Sequence, residues 1–246
     1  MHIKEYKLKG SIKTDILIAV IADLHGFPGD TVVENLRLMD PDIIAIVGDL
    51  VDEKRPFSKE TDIFLNRCSD IAPSYLSLGN HDYVLREQDF AAIRNAGIMI
   101  LDNSCIEIGS SFYIGGLTSA YVLKCRQFGE KTDEIVLSDI EWLNAYSKLE
   151  GFKILLDHHP ENYLLYTKEL SIDLILSGHT HGGQISLLGY GMYIPTQKIW
   201  PRYTGGLYEE RLVVSRGLSN TSFLPRVGNP TELVYVRINA TGKGTQ

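Results

Sequence analysis

Five times along the chain a near-continuous apolar run stops abruptly in a short polar loop. The segments are "DILIAVIADLHG" (15–26), "PDIIAIVGDLVD" (41–52), "PSYLSLGNHDY" (73–83), "FKILLDHHP" (152–160) and "IDLILSGHTHGG" (172–183). A strand with one wet face alternates apolar and polar residues, whereas a strand covered on both faces reads as an unbroken run. Between the runs, "TVVENLRLMD", "SKETDIFLNRCSDI", "REQDFAAIRNAG", "LSDIEWLNAYSKLEG" and "ENYLLYTKEL" carry helical spacing. Ser58 and Thr61 are candidate caps, and Gly97 and Gly151 candidate stops. Buried strands alternating with helices argue for an α/β sandwich rather than a barrel of simple hairpins.

The rest of the chain reads less sharply. "IMILDN", "CIEIG" and "SFYIGGL" are expected to be short strands, and the polar stretch 118–135 a mobile connection. From residue 185 the pattern turns to short strands and turns, closing with "TELVYVRIN" and an expected frayed tail, "ATGKGTQ". "ILIAVIA" is too short to span a bilayer. The start, "MHIKEYKLKG", lacks the apolar core of a signal peptide. Cys68, Cys105 and Cys125 form no CxxC pair, so each is read as a small hydrophobe in a reducing, cytoplasmic setting. A net charge of −7 argues against non-specific binding to nucleic acid or to an anionic membrane surface; no stable nucleic-acid binding is expected, and peripheral membrane contact through a local site stays open.

In open α/β sheets, ligands bind beyond the carboxyl ends of strands. Those ends hold Asp23 and His25, then Asp49, then Asn80, His81 and Asp82, then His158 and His159, then His179 and His181. Six of the 7 histidines therefore fall in these loops. Singly, Asp or Asn after a strand is a turn former and a loop histidine is solvated. Together they form an imidazole, carboxylate and amide set without thiolates, which suits Mn, Fe, Zn or Ni. The donors outnumber the needs of one ion.

The ordered series DLH, GD, GNHD, H-x-P and GHTH resembles the calcineurin-like metallophosphoesterase family from about Ile16 to Ile238. "GHTHGGQ", "SRGLS" and "PRVGNPTEL" are similar to a bacterial branch that hydrolyses phosphodiesters and includes UDP-diacylglucosamine hydrolases. The resemblance implies one domain over 1–246, built as a four-layer α/β/β/α sandwich of two mixed sheets flanked by helices. It implies two divalent transition-metal ions, Mn first. Asp23, His25 and His181 would hold one ion, Asn80, His158 and His179 the other, with Asp49 bridging. The family ligand stands two before the proline of "DHHP", hence His158; His159 is expected to point elsewhere by strand alternation. His81 would be a catalytic group outside the ligand set, oriented by Asp82.

The implied activity is hydrolysis of a small phosphoester, most simply a phosphodiester, by a metal-bridging hydroxide attacking phosphorus in line. His179 and His181, two residues apart on an expected extended segment, would face the same way and reach different ions. Gly178, Gly182 and Gly183 would let the backbone turn around them. Gln184 and the aromatic segments "YGMYIP" and "IWPRY" lie near the expected mouth. Arg202, Arg216 and Arg226 are each either a phosphate contact or a structural salt bridge. Two alternatives remain: a pyrophosphatase of a nucleotide-linked lipid, which needs an apolar groove rimmed by residues 185–226, and a non-catalytic scaffold of the same fold.

Overall fold

Side-chain alternation within the apolar runs sets the layers. In the computed structural model the described residues are all but 28, 110–111, 131–134, 184, 188–189, 195–197, 200–201, 221–225 and 242–246; for residues 185–187, 190–194 and 198–199 only the backbone is described. The chain runs β1 (His2–Gly10), β2 (Ile16–Ile21), α1 (Asp30–Met39), β3 (Ile43–Val47), α2 (Lys59–Ser69), β4 (Ser74–Ser77), a 3-10 turn (Asn80–Val84), α3 (Glu87–Asn95) and β5 (Ile98–Ile100). Then come β6 (Ser104–Glu107), β7 (Phe112–Leu117), α4 (Ala120–Phe128), α5 (Ile140–Ser147), β8 (Phe152–Asp157), a π-helical turn (Tyr163–Thr167) and β9 (Leu174–Ser177). The last part holds β10 (Ile185–Leu187), β11 (Tyr190–Ile194), β12 (Lys198–Ile199), β13 (Gly206–Tyr208), β14 (Leu212–Val214) and β15 (Glu232–Ala240).

Two mixed six-stranded sheets result, ordered β1-β15-β2-β3-β4-β5 and β13-β14-β9-β8-β7-β6. β2, β3, β4 and β5 are mutually parallel, as are β7, β8, β9 and β14. β10, β11 and β12 form a small antiparallel sheet. On β2, Leu17, Ala19 and Ile21 face Val33 and Leu36 of α1 and Phe64 and Leu65 of α2. Ile18 and Val20 face the other way, meeting Ile154, Leu156, Leu174 and Leu176 of the second sheet. Leu155, Ile175, Leu212 and Val214 in turn meet Leu143 and Tyr146 of α5. The layers are therefore helix, sheet, sheet, helix. Each fully buried Val, Ile or Leu contributes about 1.5–3 kcal/mol, against roughly 1 kcal/mol for the whole span of strand propensity, so two-sided burial holds the register.

Local signals act as expected at several termini. Thr61 donates its N–H to the Ser58 hydroxyl at the start of α2 (3.3 Å), and Gly97 follows α3 with φ 81°. Residues 118–130 differ from expectation: instead of a mobile connection, α4 forms there. Ser119 caps it by accepting from the Tyr121 N–H (3.3 Å). α4 is rich in good helix formers and buries a single apolar side chain, Val122. One anchor gives no apolar stripe, so the periodicity is silent. The expected frayed tail lies almost wholly outside the described residues.

Candidate metal centre

The carboxyl ends of β2, β3, β4, β8 and β9 bring the five polar loops together. The first two run side by side: Asp23 N–H donates to Gly48 O (3.2 Å), His25 N–H to Asp49 O (3.0 Å) and Gly26 N–H to Leu50 O (2.8 Å). Asp23, His25, Asp49, His179 and His181 all have left-handed backbone, with φ of 54, 49, 53, 68 and 49°. Non-glycine residues hold that conformation at a cost of order 1–3 kcal/mol each, and it clusters at functional sites. Here it corrects the expectation of an extended "GHTH": His179 and His181 reach their positions through successive tight turns, not through strand alternation.

Two groups of donor atoms form. Asp23, His25 and His181 offer atoms within 4.8 Å of one another, and so do Asp49, His158 and His179. Asp49 Oδ2 stands between the groups, 3.6 Å from His25 Nε2 and 3.0 Å from His158 Nε2. Asp23 Oδ1 lies 3.5 Å from His181 Nε2 and 3.9 Å from His158 Nε2. Asn80 adjoins them through its neighbour, because His81 donates its N–H to Asp49 Oδ1 (2.8 Å). The His81 ring sits edge-on to His25 at 5.1 Å and is half-buried.

In three of the histidine rings Nδ1 faces an oxygen outside the donor groups. That atom lies 3.2 Å from Asp52 Oδ2 in His25, 2.8 Å from Val47 O in His158 and 3.3 Å from Ser219 O in His181. His158, donating from Nδ1 to Val47 O, presents the lone pair of Nε2, the usual arrangement of metal-bound imidazole. Arg226 closes this side: Nη1 donates to Arg216 O (2.8 Å), while Nη2 donates to Ser219 O and lies 3.1 Å from His181 Nδ1. Glycine makes the approach close. At Gly48, φ is 73°, and a Cβ would stand 2.6 Å from His158 Nδ1.

The electrostatics leave room for cations. Burial works against charge on Asp49, but the adjacent His158 overrides it and holds the carboxyl well below the usual range. Burial likewise opposes charge on His158, yet Asp49 pushes it up to about 10. The metal-free pair therefore keeps a proton that a divalent ion would displace. Burial and the charges of His159 and His158 push His179 down to about 3. Asp23 Oδ2, His25 Nε2, Asn80 Oδ1 and His158 Nε2 are buried without a hydrogen-bond partner. Each such group costs about 1–3 kcal/mol if nothing satisfies it. Four in one place, all oxygen or imidazole nitrogen, fit a pair of borderline divalent ions.

Some expected roles change. The hydrogen bonds of the Asp82 carboxylate go to backbone, not to the His81 ring: Oδ2 accepts from Asp49 and Gly79 N–H (both 2.8 Å) and Oδ1 from Val51 N–H (3.3 Å). It ties the second loop to the third, and burial with the nearby Asp49 charge pushes it up to about 7. His159 does not turn away from the centre. Its ring lies 4.3 Å from that of His179, and both approach Glu161, a residue the pattern gave no reason to select. Asp52 was missed in the same way. Arg216 Nε is 3.8 Å from Glu232 Oε2, and Arg202 is exposed. Gln184 and the side chains of "YGMYIP" lie outside the described residues, as does Trp200.

A sequence profile of the calcineurin-like phosphoesterase family matches residues 16–183. YkoQ, an uncharacterized metallophosphoesterase of Bacillus subtilis, is 30% identical over 210 residues, covering 80% of this chain and 72% of its own. An uncharacterized metallophosphoesterase of Campylobacter jejuni is 30% identical over 246 residues, covering 95% of this chain but 61% of its own. A Helicobacter pylori relative is 28% identical over 214 residues, with 84% and 54% covered. This chain thus spans less than two thirds of the last two. The crystal structure of the calcineurin-like phosphoesterase YfkN from Bacillus subtilis shares the fold at TM-score 0.51 and 14% identity, covering 96% of this chain and 93% of that one.

Proposed function

The chain belongs to the calcineurin-like phosphoesterase family, and from that membership we propose that it is a dimetal hydrolase of small phosphodiesters. The observation that carries the proposal is the position of Asp49 Oδ2, within 3.6 Å of His25 Nε2 and 3.0 Å of His158 Nε2. In this reading Asp23, His25 and His181 hold one divalent ion, Asn80, His158 and His179 hold the second, and Asp49 is shared. Two ions held there lower the pKa of water and neutralise charge on phosphoryl oxygens. The donor set suits Mn, Fe, Zn or Ni, with Mn the first to test.

The chain's own groups supply the rest. Asp52 and the Val47 carbonyl keep His25 and His158 turned so that Nε2 faces inward. Asp82 keeps the loops bearing Asp49 and Asn80 in register. His81, half-buried beside His25, hands a proton to the leaving alkoxide. Preference for diesters rests on the likeness of "GHTHGGQ" and "PRVGNPTEL" to the diester-hydrolysing branch. Action as one domain in the cytoplasm is part of the same proposal; no helix of the described residues is long and apolar enough to cross a membrane.

The test is a metal-supplemented screen. Chain stripped with EDTA and reloaded with Mn is offered bis-nitrophenyl phosphate, nitrophenyl phosphate and a nucleotide pyrophosphate, with Asp49→Asn as the blank. Diester turnover that vanishes in the blank is expected. Metal-loaded chain that turns over none of the three would overturn the proposal in favour of a scaffold.

A further inference from the structure

Outside the two groups already described, a third set of donors converges. His159, Glu161 and His179 offer ligand atoms within 4.8 Å of one another. We propose that these three residues form a third divalent-cation site, one that takes a zinc-class ion on the solvent side of the centre. The proposal rests on the dimetal reading only in that His179 is shared with the second group; to serve both ions it must use one ring nitrogen for each, releasing its N–H proton to solvent as it becomes a bridging imidazolate.

The donor spacing suits a cation. His159 Nδ1 is 3.5 Å from Glu161 Oε1, and His179 Nε2 is 3.8 Å from the same oxygen. Both are too long for hydrogen bonds. Two ligands of one tetrahedral zinc, at bond lengths of about 2.0 Å, stand about 3.3 Å apart. Within the other two groups the corresponding contacts are 3.5 Å for His181 Nε2 to Asp23 Oδ1 and 3.0 Å for His158 Nε2 to Asp49 Oδ2, so the third set is spaced like the first.

The ring of His159 is aimed. Its Nε2 hydrogen-bonds the Ser119 hydroxyl at 2.8 Å, which leaves Nδ1 turned toward Glu161. That repeats the outer-layer anchoring of the other histidines, with the two ring nitrogens exchanged. The loop that carries the ligands is fixed by a buried carboxylate: Asp157 Oδ1 accepts from His159 N–H (3.2 Å) and Asn162 Nδ2 (3.0 Å). Glu161 Oε2 is buried and has no hydrogen-bond partner. Two imidazoles and one carboxylate are an established zinc set that keeps an open position. Glu161 is the most open of the three side chains, 40% exposed against 17% for His159 and 21% for His179, so water can complete the shell.

The experiment counts zinc per chain after equilibrium dialysis of the full chain against Zn2+ alone. Wild type is expected to reach three, the third bound at least about tenfold more weakly than the other two. Glu161→Gln and His159→Asn are expected to stop at two, since loss of a ligand or its support lowers affinity by about 10–100-fold. Cobalt loading gives a second readout: the visible absorption should keep rising past two equivalents in wild type and stop there in His159→Asn. A wild-type plateau at two, or three ions retained in both variants, overturns the third site and leaves the dimetal reading standing. A fall to one in Glu161→Gln also overturns it, by assigning Glu161 to the second ion. Wild type holding fewer than two overturns both.

Discussion

Gly48→Ala tests how the centre is built. Gly48 has φ 73°, and a Cβ there would stand 2.6 Å from His158 Nδ1 and 2.7 Å from the Cα and N of Gly79. Ordinary contact begins at 3.4 Å, so something must move by 3.4 − 2.6 = 0.8 Å. Neither neighbour is free to move. His158 Nδ1 is held by Val47 O at 2.8 Å. Gly79 is tied to Asp82 Oδ2 at 2.8 Å, and Asp49 Oδ1 occupies the space a Cβ there would need. Left-handed backbone at alanine costs about 1–2 kcal/mol and overpacking about 1–3 kcal/mol, so the expected loss is about 2–5 kcal/mol. That is a large part of the roughly 5–15 kcal/mol that usually holds a domain folded. A ligand misplaced by nearly an ångström should also lower diester turnover about 100-fold. Urea unfolding in EDTA gives the first quantity, and manganese-dependent hydrolysis the second. Gly129→Ala is the control: φ is 85°, with nothing within 4 Å of its Cβ, so only the backbone cost of about 1–2 kcal/mol should appear. Equal effects of the two substitutions, with turnover intact in Gly48→Ala, would refute the close-approach reasoning.

Asp52→Asn should weaken metal binding about 10–100-fold without unfolding the chain, because His25 Nδ1 loses its carboxylate; isothermal titration with Mn reads this directly. Burial pushes Asp157 up to about 7, so the native state keeps a proton that the unfolded chain loses near pH 4. Stability of the metal-free chain should therefore fall as pH rises from about 4 to 7 and stay lower above, by on the order of 4 kcal/mol. Asp157→Asn should raise the urea midpoint at pH 8 and not at pH 4; the same gain at both would show that the carboxyl is not held neutral. Arg226→Met should cost about 1.5–3 kcal/mol in urea unfolding, since the Arg216 and Ser219 carbonyls lose a charged donor.

The strand-loop units were readable because burial on both faces leaves unbroken apolar runs, and these runs deliver Asp23, Asp49, Asn80, His158 and His179 to one end of the two sheets. α4 was not readable, because Val122 is its one buried apolar side chain and its hold on the fold is local capping by Ser119. Glu161 follows "DHHP" and reads as an ordinary acidic residue entering a helix; its approach to His179 is a contact made across the fold. Asp52, three residues beyond Asp49, is equally plain until the second loop lies beside His25. The role of Asp82 differed for a related reason: the spacing in "GNHD" locates the carboxylate but does not distinguish the neighbouring ring from amides of another loop. Left-handed backbone at His179 and His181 has no signature beyond the glycines that follow.

β15 lies between β1 and β2, parallel to the first and antiparallel to the second. Farther back, Ser219 and Arg226 brace the His181 ring, and Asn229 Nδ2 donates to His181 O at 2.6 Å. A ribosome that has released only the first 210 residues has therefore exposed every one of these donor atoms with one wall of their cage still inside the exit tunnel. Aborted translation products should be poor catalysts, and β1 will wait, unpaired, until residues 232–240 emerge to receive it.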